Sequence, residues 1–120
     1  MRKPSSSSVK ISYPRFRRDE LLGVLAERTR ALQARLPLTR AVLFGSYATG
    51  RQTAASDIDL LVAYAGEPRP DAYALVRRTL DIPGLEPHVY TQAEYDGVRA
   101  TVDRMIRDGV EIELTGPADP

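Results

Sequence analysis

The stretch "LFGSYATGRQTAASDIDLLVAY", residues 43–64, places a small polar linker between two apolar runs. The second run carries Asp57 and Asp59 at the start of what otherwise has the composition of a buried strand. A charge inside such a strand is costly unless it is paired or bound to a cation. Either this end of the strand is exposed, or a positive group lies beside it.

The two aspartates should share one face of their strand, because side-chain direction repeats every two residues. Their Cβ atoms are then about 6–7 Å apart, while Ile58 and Leu60 point towards the core. Two carboxylates at that separation can hold divalent cations of the Mg²⁺ class, with water and substrate phosphates as the remaining ligands. A solvated turn-and-cap role for the aspartates is the alternative.

Gly45 and Ser46 close the preceding apolar run. Glycine lets a ligand approach the backbone closely. Ser46 and the amides after it, at the start of a helical turn, are expected to face an anion. A phosphate-holding turn beside a carboxylate pair predicts phosphoryl or nucleotidyl transfer.

The hydrophobic pattern predicts a mixed four-stranded sheet with helices packed on one side, an α/β (α+β) fold. Helices are predicted over 18–36, 70–82 and 91–109, and strands over 39–45, 57–64, 85–91 and 110–114. Pro87 suggests an edge position or a bulge for its strand. Thr91 and Glu94 match a capping box. One domain is expected over residues 15–115, between a flexible tail at 1–14 and another at 116–120, with a possible short edge strand at 9–16.

The composition excludes several classes of protein. The net charge of +1 gives no bulk basic field, so a nucleic-acid partner is not expected. The absence of cysteine excludes disulfides and thiolate metal sites. The apolar runs fall short of the ~20 residues that a membrane span needs. The basic N-terminal residues precede no apolar core, so a cytoplasmic location without membrane contact is expected.

The segment "GSYATGRQTAASDIDLLV" resembles the signature of the minimal nucleotidyltransferases, in the DNA polymerase β superfamily. That signature is Gly-Ser, about ten residues, and then Asp-x-Asp in a hydrophobic strand. Ten residues separate Ser46 from Asp57 here, and Ser56 before the first aspartate also matches. The resemblance implies the minimal nucleotidyltransferase fold. It also implies that Gly45 and Ser46 contact a nucleoside triphosphate and that Asp57 and Asp59 bind two Mg²⁺ ions.

The third carboxylate of this family, on a later strand, has no direct match. The corresponding segment is "LEPHVYT", residues 85–91, which puts His88 where an aspartate is expected. Glu86, two residues earlier, lies on the same predicted face and could complete the metal ligands. His88 could instead be the general base, since neutral imidazole suits that task. If neither reaches the site, the domain would bind nucleotide without efficient turnover.

Other residues of the signature loop have two interpretations each. Arg51 is either a phosphate ligand or a surface arginine. Ser56 is a candidate nucleotide contact, although a turn role is favoured. Tyr47 is expected to be exposed in the loop and is given no role.

The resemblance implies transfer of a nucleoside monophosphate, AMP from ATP, to a hydroxyl. Larger superfamily members add a helical domain that binds tRNA, DNA or an antibiotic, so this short chain is expected to need a partner. The expected partner is a small helical protein of the HEPN type in a toxin–antitoxin pair, with a homo-oligomer as a further possibility. The alternative is a nucleotide-binding antitoxin or partner that acts by contact alone. Polymerase-like action is disfavoured, since no aromatic and basic stripe is present.

Overall fold

The computed structural model of the protein describes residues 16–53 and 56–114. Within these ranges the elements follow in the order α1 (Arg18–Gln33), β1 (Leu38–Phe44), α2 (Ser46–Thr49), β2 (Ile58–Tyr64), α3 (Ala72–Leu80), β3 (Leu85–Thr91), α4 (Gln92–Gly97), α5 (Arg99–Met105) and β4 (Val110–Glu111). The predicted tails, both domain bounds and nearly all of the possible strand at 9–16 lie outside the described residues. Among the described helices, none has both the length and the apolar character that crossing a bilayer requires.

The four strands form one mixed sheet in the order β3-β2-β1-β4. Strand β1 runs antiparallel to β2 and to β4, whereas β2 and β3 are parallel. The predicted α+β fold with a four-stranded mixed sheet is therefore confirmed. Strand β3 lies at an edge of this sheet, where Pro87 can be accommodated because an edge strand has backbone positions that need no partner.

Helices cover both faces of the sheet. On one face, alternate residues such as Leu43 and Leu60 pack in a core with the apolar sides of α1 and α3. On the other face, Phe44 and Leu61 pack with Tyr95 of α4 and with side chains of α5. The prediction that the helices lie on one side is wrong. Strand β2 is apolar at consecutive positions, and a strand of that kind is buried on both faces.

The predicted helix over residues 91–109 is divided in the structure. Val98 has φ −122° and ψ 23°, outside the helical region, and this residue separates α4 from α5. The capping box is confirmed, since the Glu94 N–H donates to Thr91 Oγ1 at 3.0 Å and the Thr91 N–H donates to Glu94 Oε1 at 2.9 Å. The break lets the chain change direction as it crosses the second face of the sheet.

A polar network holds α4 and α5 to the sheet. Arg40 of β1 donates Nε and Nη2 to the Glu111 carboxylate of β4, each with a contact of 2.9 Å. Its Nη1 donates to the Tyr95 hydroxyl, which in turn donates to Asp103 Oδ1 at 2.6 Å. One guanidinium thus ties β1 to β4, α4 and α5.

Gly109 allows the connection between α5 and β4 to lie directly against β1. A Cβ at this position would be 2.6 Å from Val42 Cγ1 and 2.8 Å from the Leu43 carbonyl oxygen. Because one of these neighbours is backbone, a larger residue would force the connection away from the sheet.

Gly109→Ala should lower the free energy of unfolding by about 1–3 kcal/mol, the usual cost of overpacking a filled site. The matched control is Gly23→Ala in α1, where no atom beyond the adjacent residues and the helix's own backbone lies within 4 Å of the new Cβ. That change should stabilise the protein by about 0.5–1 kcal/mol, since alanine favours a helix interior. Urea denaturation of both variants measures the difference, and wild-type stability of Gly109→Ala would contradict the packing described here.

Candidate active site

The turn after β1 lies directly against the Asp59 carboxylate. Gly45 has φ 81° and ψ −154°, a conformation that favours glycine. A Cβ on Gly45 would be 2.5 Å from Asp59 Oδ2. The sheet produces this proximity, because Phe44, the residue before the turn, pairs with Asp59 in the antiparallel register. The signature glycine therefore leaves room for an aspartate carboxylate beside the backbone.

Helix α2 is anchored to the core by Tyr47. The side chain is 2% exposed, so the prediction that Tyr47 is exposed in the loop is wrong. It occupies the same core as α1 and α3, which fixes α2 and the turn that precedes it. Tyr47 has a structural role that its place in a polar stretch did not suggest.

Arg18 also holds α2 in place, and sequence reasoning missed it. Its Nε donates to the Tyr47 carbonyl at 3.1 Å, and its Nη2 donates to the Ala48 carbonyl at 3.0 Å. A cation in the first turn of a helix opposes the helix dipole. The unfavourable position of Arg18 at the start of α1 could therefore have indicated, from the sequence, that its side chain binds a group outside the helix.

The two aspartates lie at the open end of β2. Asp57 is exposed just before the strand, and the Asp59 side chain is 31% exposed within it. Burial raises the pKa of Asp59. The nearby His88 lowers it, and the charges of Asp57 and Glu86 raise it further. Among the ion pairs within residues 16–53 and 56–114, none joins Asp57 or Asp59 to a guanidinium. Negative charge is therefore concentrated here without an arginine to balance it.

Both candidates for the third position lie on β3 beside Asp59. Glu86 pairs with Asp59 in the parallel register. His88 is two residues further along β3 and pairs with Leu61. All three side chains belong to one face of the sheet, since they occupy equivalent or alternate positions. His88 Nε2 is 3.6 Å from Asp59 Oδ1, and its ring centroid is 5.1 Å from that of Phe44. Their roles remain predictions.

The carboxylates fit a divalent cation in part. Across the described residues, no group of three or more His, Cys, Asp or Glu side chains is arranged to hold a metal ion. Asp57 and Asp59 nonetheless offer oxygen ligands without a competing cation, and Mg²⁺ sites at phosphates commonly use one or two carboxylates and complete their shell with water and substrate oxygens. The donor set therefore suits a metal that binds together with a nucleotide.

The loop residues Arg51 and Ser56 differ in their surroundings. The Arg51 N–H donates to the Ser46 carbonyl at 2.9 Å, and its exposed side chain lines a cavity of about 340 Å³ next to Ser46. Ser56 Oγ accepts from the Thr53 N–H at 2.8 Å, and the Ser56 N–H donates to the Thr53 carbonyl at 3.1 Å. Ser56 is thus bonded to Thr53 through both its side chain and its backbone, and contact of Arg51 or Ser56 with nucleotide stays a prediction.

Comparisons with known proteins bear on the family and the fold of the chain. The family model described as nucleotidyltransferase domain matches residues 25–111. A crystal structure of a "putative nucleotidyltransferase" from Sulfolobus solfataricus has a TM-score of 0.56 and 22% identity, and the match covers 78% of this chain and 80% of that chain. At 22% identity this structural similarity supports the fold alone. No curated protein sequence matches this chain at a significant level.

Asp59→Asn should raise the free energy of unfolding at pH 7 in the absence of divalent cations. The pKa of Asp59 is raised in the folded state, so the folded state binds this proton more tightly than the unfolded state. The contribution of the protonated Asp59 to the free energy of unfolding is present below the ordinary pKa of 3.8. It is lost as the pH rises through the pKa of Asp59 in the folded protein. The gain in free energy of unfolding of Asp59→Asn over the wild type should therefore increase from about pH 4 to about pH 7, as the wild-type carboxyl loses its proton.

Urea denaturation across that pH range measures this advantage, with Asp81→Asn as the control. Asp81 is an exposed residue at the end of α3 with φ 48°, a conformation that asparagine tolerates. A loss of stability on Asp59→Asn at every pH would instead give the carboxylate a structural role.

Proposed function

This chain belongs to the nucleotidyltransferase domain family, and from that premise we propose that it is a Mg²⁺-dependent enzyme that transfers AMP from ATP to a hydroxyl group. Nucleotidyl transfer is the general activity of the family. The observation that carries the finer proposal is the contact geometry at Gly45, where the Asp59 carboxylate lies against the signature turn. Asp57 stands two residues before it, and Glu86 lies in register on the neighbouring strand.

Asp57 and Asp59 are the residues that would hold the two metal ions, with Glu86 as a third oxygen ligand. Their mutual repulsion is visible in the raised pKa of Asp59, to which both Asp57 and Glu86 contribute after burial. When bound, divalent ions supply neutralisation of the charge on the transferring phosphate. The surrounding chain supplies position, since Gly45 leaves no side chain between the turn and the carboxylate.

Gly45 and Ser46 are proposed to position the triphosphate. The Ala48 N–H is bonded to the Gly45 carbonyl, which sets the first turn of α2. The first N–H groups of a helix have no acceptor within the helix. With the Ser46 hydroxyl they can donate to phosphate oxygens, while Tyr47 and Arg18 keep the turn in place.

Removal of the acceptor proton is assigned to β3. Glu86 is the favoured base or metal ligand, because its register places it beside Asp59. His88 is the alternative, since its Nε2 is 3.6 Å from the Asp59 carboxylate and its side chain is 37% exposed. Either residue would receive a proton from a hydroxyl that approaches from the β3 side.

The acceptor is proposed to be a hydroxyl on a partner protein. The resemblance supports a small helical HEPN-type partner, with this chain as the antitoxin of a toxin–antitoxin pair in the cytoplasm. A homo-oligomer is the other assembly that the proposal allows. Partner binding by contact alone, with no transfer, is the competing outcome.

The partner of a toxin–antitoxin pair is expected to be encoded by the adjacent gene. Incubation of the protein with α-³²P-labelled ATP, Mg²⁺ and the protein encoded by that gene should label that protein. Asp57→Asn and Asp59→Asn should each lower the labelling rate by ~100-fold or more, since even outer-shell partners of a metal ligand are worth 10–100-fold. The control Asp81→Asn should label at the wild-type rate. A stable complex without label, unaffected by Asp57→Asn, would establish the contact-only alternative.

Glu86→Gln should lower kcat by about 10²–10⁴-fold, the usual contribution of a general base, whereas His88→Gln should leave kcat within a few-fold of wild type. The pH profile of kcat for both variants separates the two roles. The reverse result would assign the base to His88. Wild-type rates in both variants would mean that neither Glu86 nor His88 acts as the general base.

A further inference from the structure

The cavity beside the signature turn joins two segments that are distant in sequence. From the turn side, Ser46, Thr49 and Arg51 line it. From the opposite side, Arg104 of α5 and Asp108 of the connection to β4 line it. Its volume of about 340 Å³ lies at the lower end of the range of small-ligand sites.

Two arginines in this cavity are available for a ligand. Within residues 16–53 and 56–114, no hydrogen bond or ion pair engages the guanidinium of Arg51 or of Arg104. By contrast, Arg18 and Arg40 are both engaged with carbonyl or carboxylate groups. A guanidinium presents a planar fork that suits two phosphate oxygens at once. The hydroxyls of Ser46 and Thr49 add uncharged donors.

The cavity adjoins the carboxylate site through Gly45. This residue lines the cavity, and a Cβ on it would be 2.5 Å from Asp59 Oδ2. A chain of linked phosphates can therefore have one phosphate beside Asp59 and the following ones in the cavity. A single phosphate group would reach only one of these places.

The strand order places this cavity and the candidate bases on different sides of Asp59. Across the sheet, Glu86 and His88 lie on β3, Asp59 on β2, Gly45 at the end of β1, and the arginine cavity beside β4. In-line phosphoryl transfer needs the attacking and leaving oxygens on opposite sides of the phosphorus. An acceptor on the β3 side and a pyrophosphate on the β4 side are compatible with that requirement.

From these observations we propose that Arg104 is a further phosphate ligand, opposite Arg51, for the triphosphate that the signature turn is proposed to position. The proposal rests on the nucleotidyl transfer proposed above and adds the residue that holds its leaving group. Asp108 is the opposing charge in the same cavity. Its carboxylate repels a polyanion, so its removal should strengthen binding.

Isothermal titration calorimetry of the full chain with inorganic tripolyphosphate, ATP and AMP tests the proposal. Arg104→Gln should weaken tripolyphosphate and ATP binding about ten-fold or more, in line with a charged hydrogen bond, and leave AMP affinity unchanged. Arg104→Lys should show an intermediate loss, because a lysine keeps the charge without the fork. Asp108→Asn should tighten tripolyphosphate binding. Arg107→Gln, an exposed neighbour outside the cavity, is the matched control.

The outcomes separate this proposal from the proposed function. Equal affinity of wild type and Arg104→Gln for both polyphosphates overturns the role of Arg104, even if label transfer still depends on Asp59. If the affinity for tripolyphosphate and ATP depends on Arg104 but no label is transferred, the role of Arg104 is supported and the proposed reaction is contradicted. Equal loss with Arg107→Gln would mean nonspecific charge attraction and would also overturn the proposal. Thermal melts of each variant establish that it is folded.

Discussion

The pairing of Phe44 with Asp59 is the constraint on which the site depends. It fixes where β1 ends relative to β2, and the next residue, Gly45, then comes directly against the aspartate carboxylate. A shift of one residue would turn Asp59 to the opposite face of the sheet, where α1 and α3 pack. Such a shift would place the Asp59 carboxylate in the core formed with α1 and α3, which is costly for an unpaired charge, so the core determines the place of the charges.

Close spacing in sequence explains what could be predicted. The Gly-Ser pair and the Asp-x-Asp pair lie in one stretch of 22 residues, 43–64, and the local alternation already placed both aspartates at a strand end. Elements with clear periodicity, such as β2 and β3, were predicted within a residue of their ends. Pro87 correctly indicated an edge strand, because its ring leaves no backbone donor for a second neighbour.

Long-range contacts explain what could not be predicted. Tyr47 stands in a polar stretch, and only the assembled core shows that its ring is buried. Arg18 and Arg104 belong to helices far from the signature, so no local pattern relates them to it. The hydrophobic pattern over residues 91–109 is continuous and predicts one helix. In the structure the backbone leaves the helical conformation at Val98, and the two shorter helices pack on the second face of the sheet. Glu86 and His88 both reach the vicinity of Asp59, since parallel pairing brings alternate residues to the same face.

The interruption at Val98 also has a consequence for how the sheet is covered. Residues 92–109 connect the two outermost strands, whose separation is three strand spacings, about 14 Å. Through Arg40 and Tyr95 this connection is fastened to the middle of the sheet as well as to its margins. The edge strand that carries Glu86 and His88 is therefore joined to the other edge strand, β4, by one continuous segment that includes Arg104. Because the helix is interrupted at Val98, this segment covers the second face as two short helices, with α4 following β3 and α5 preceding β4.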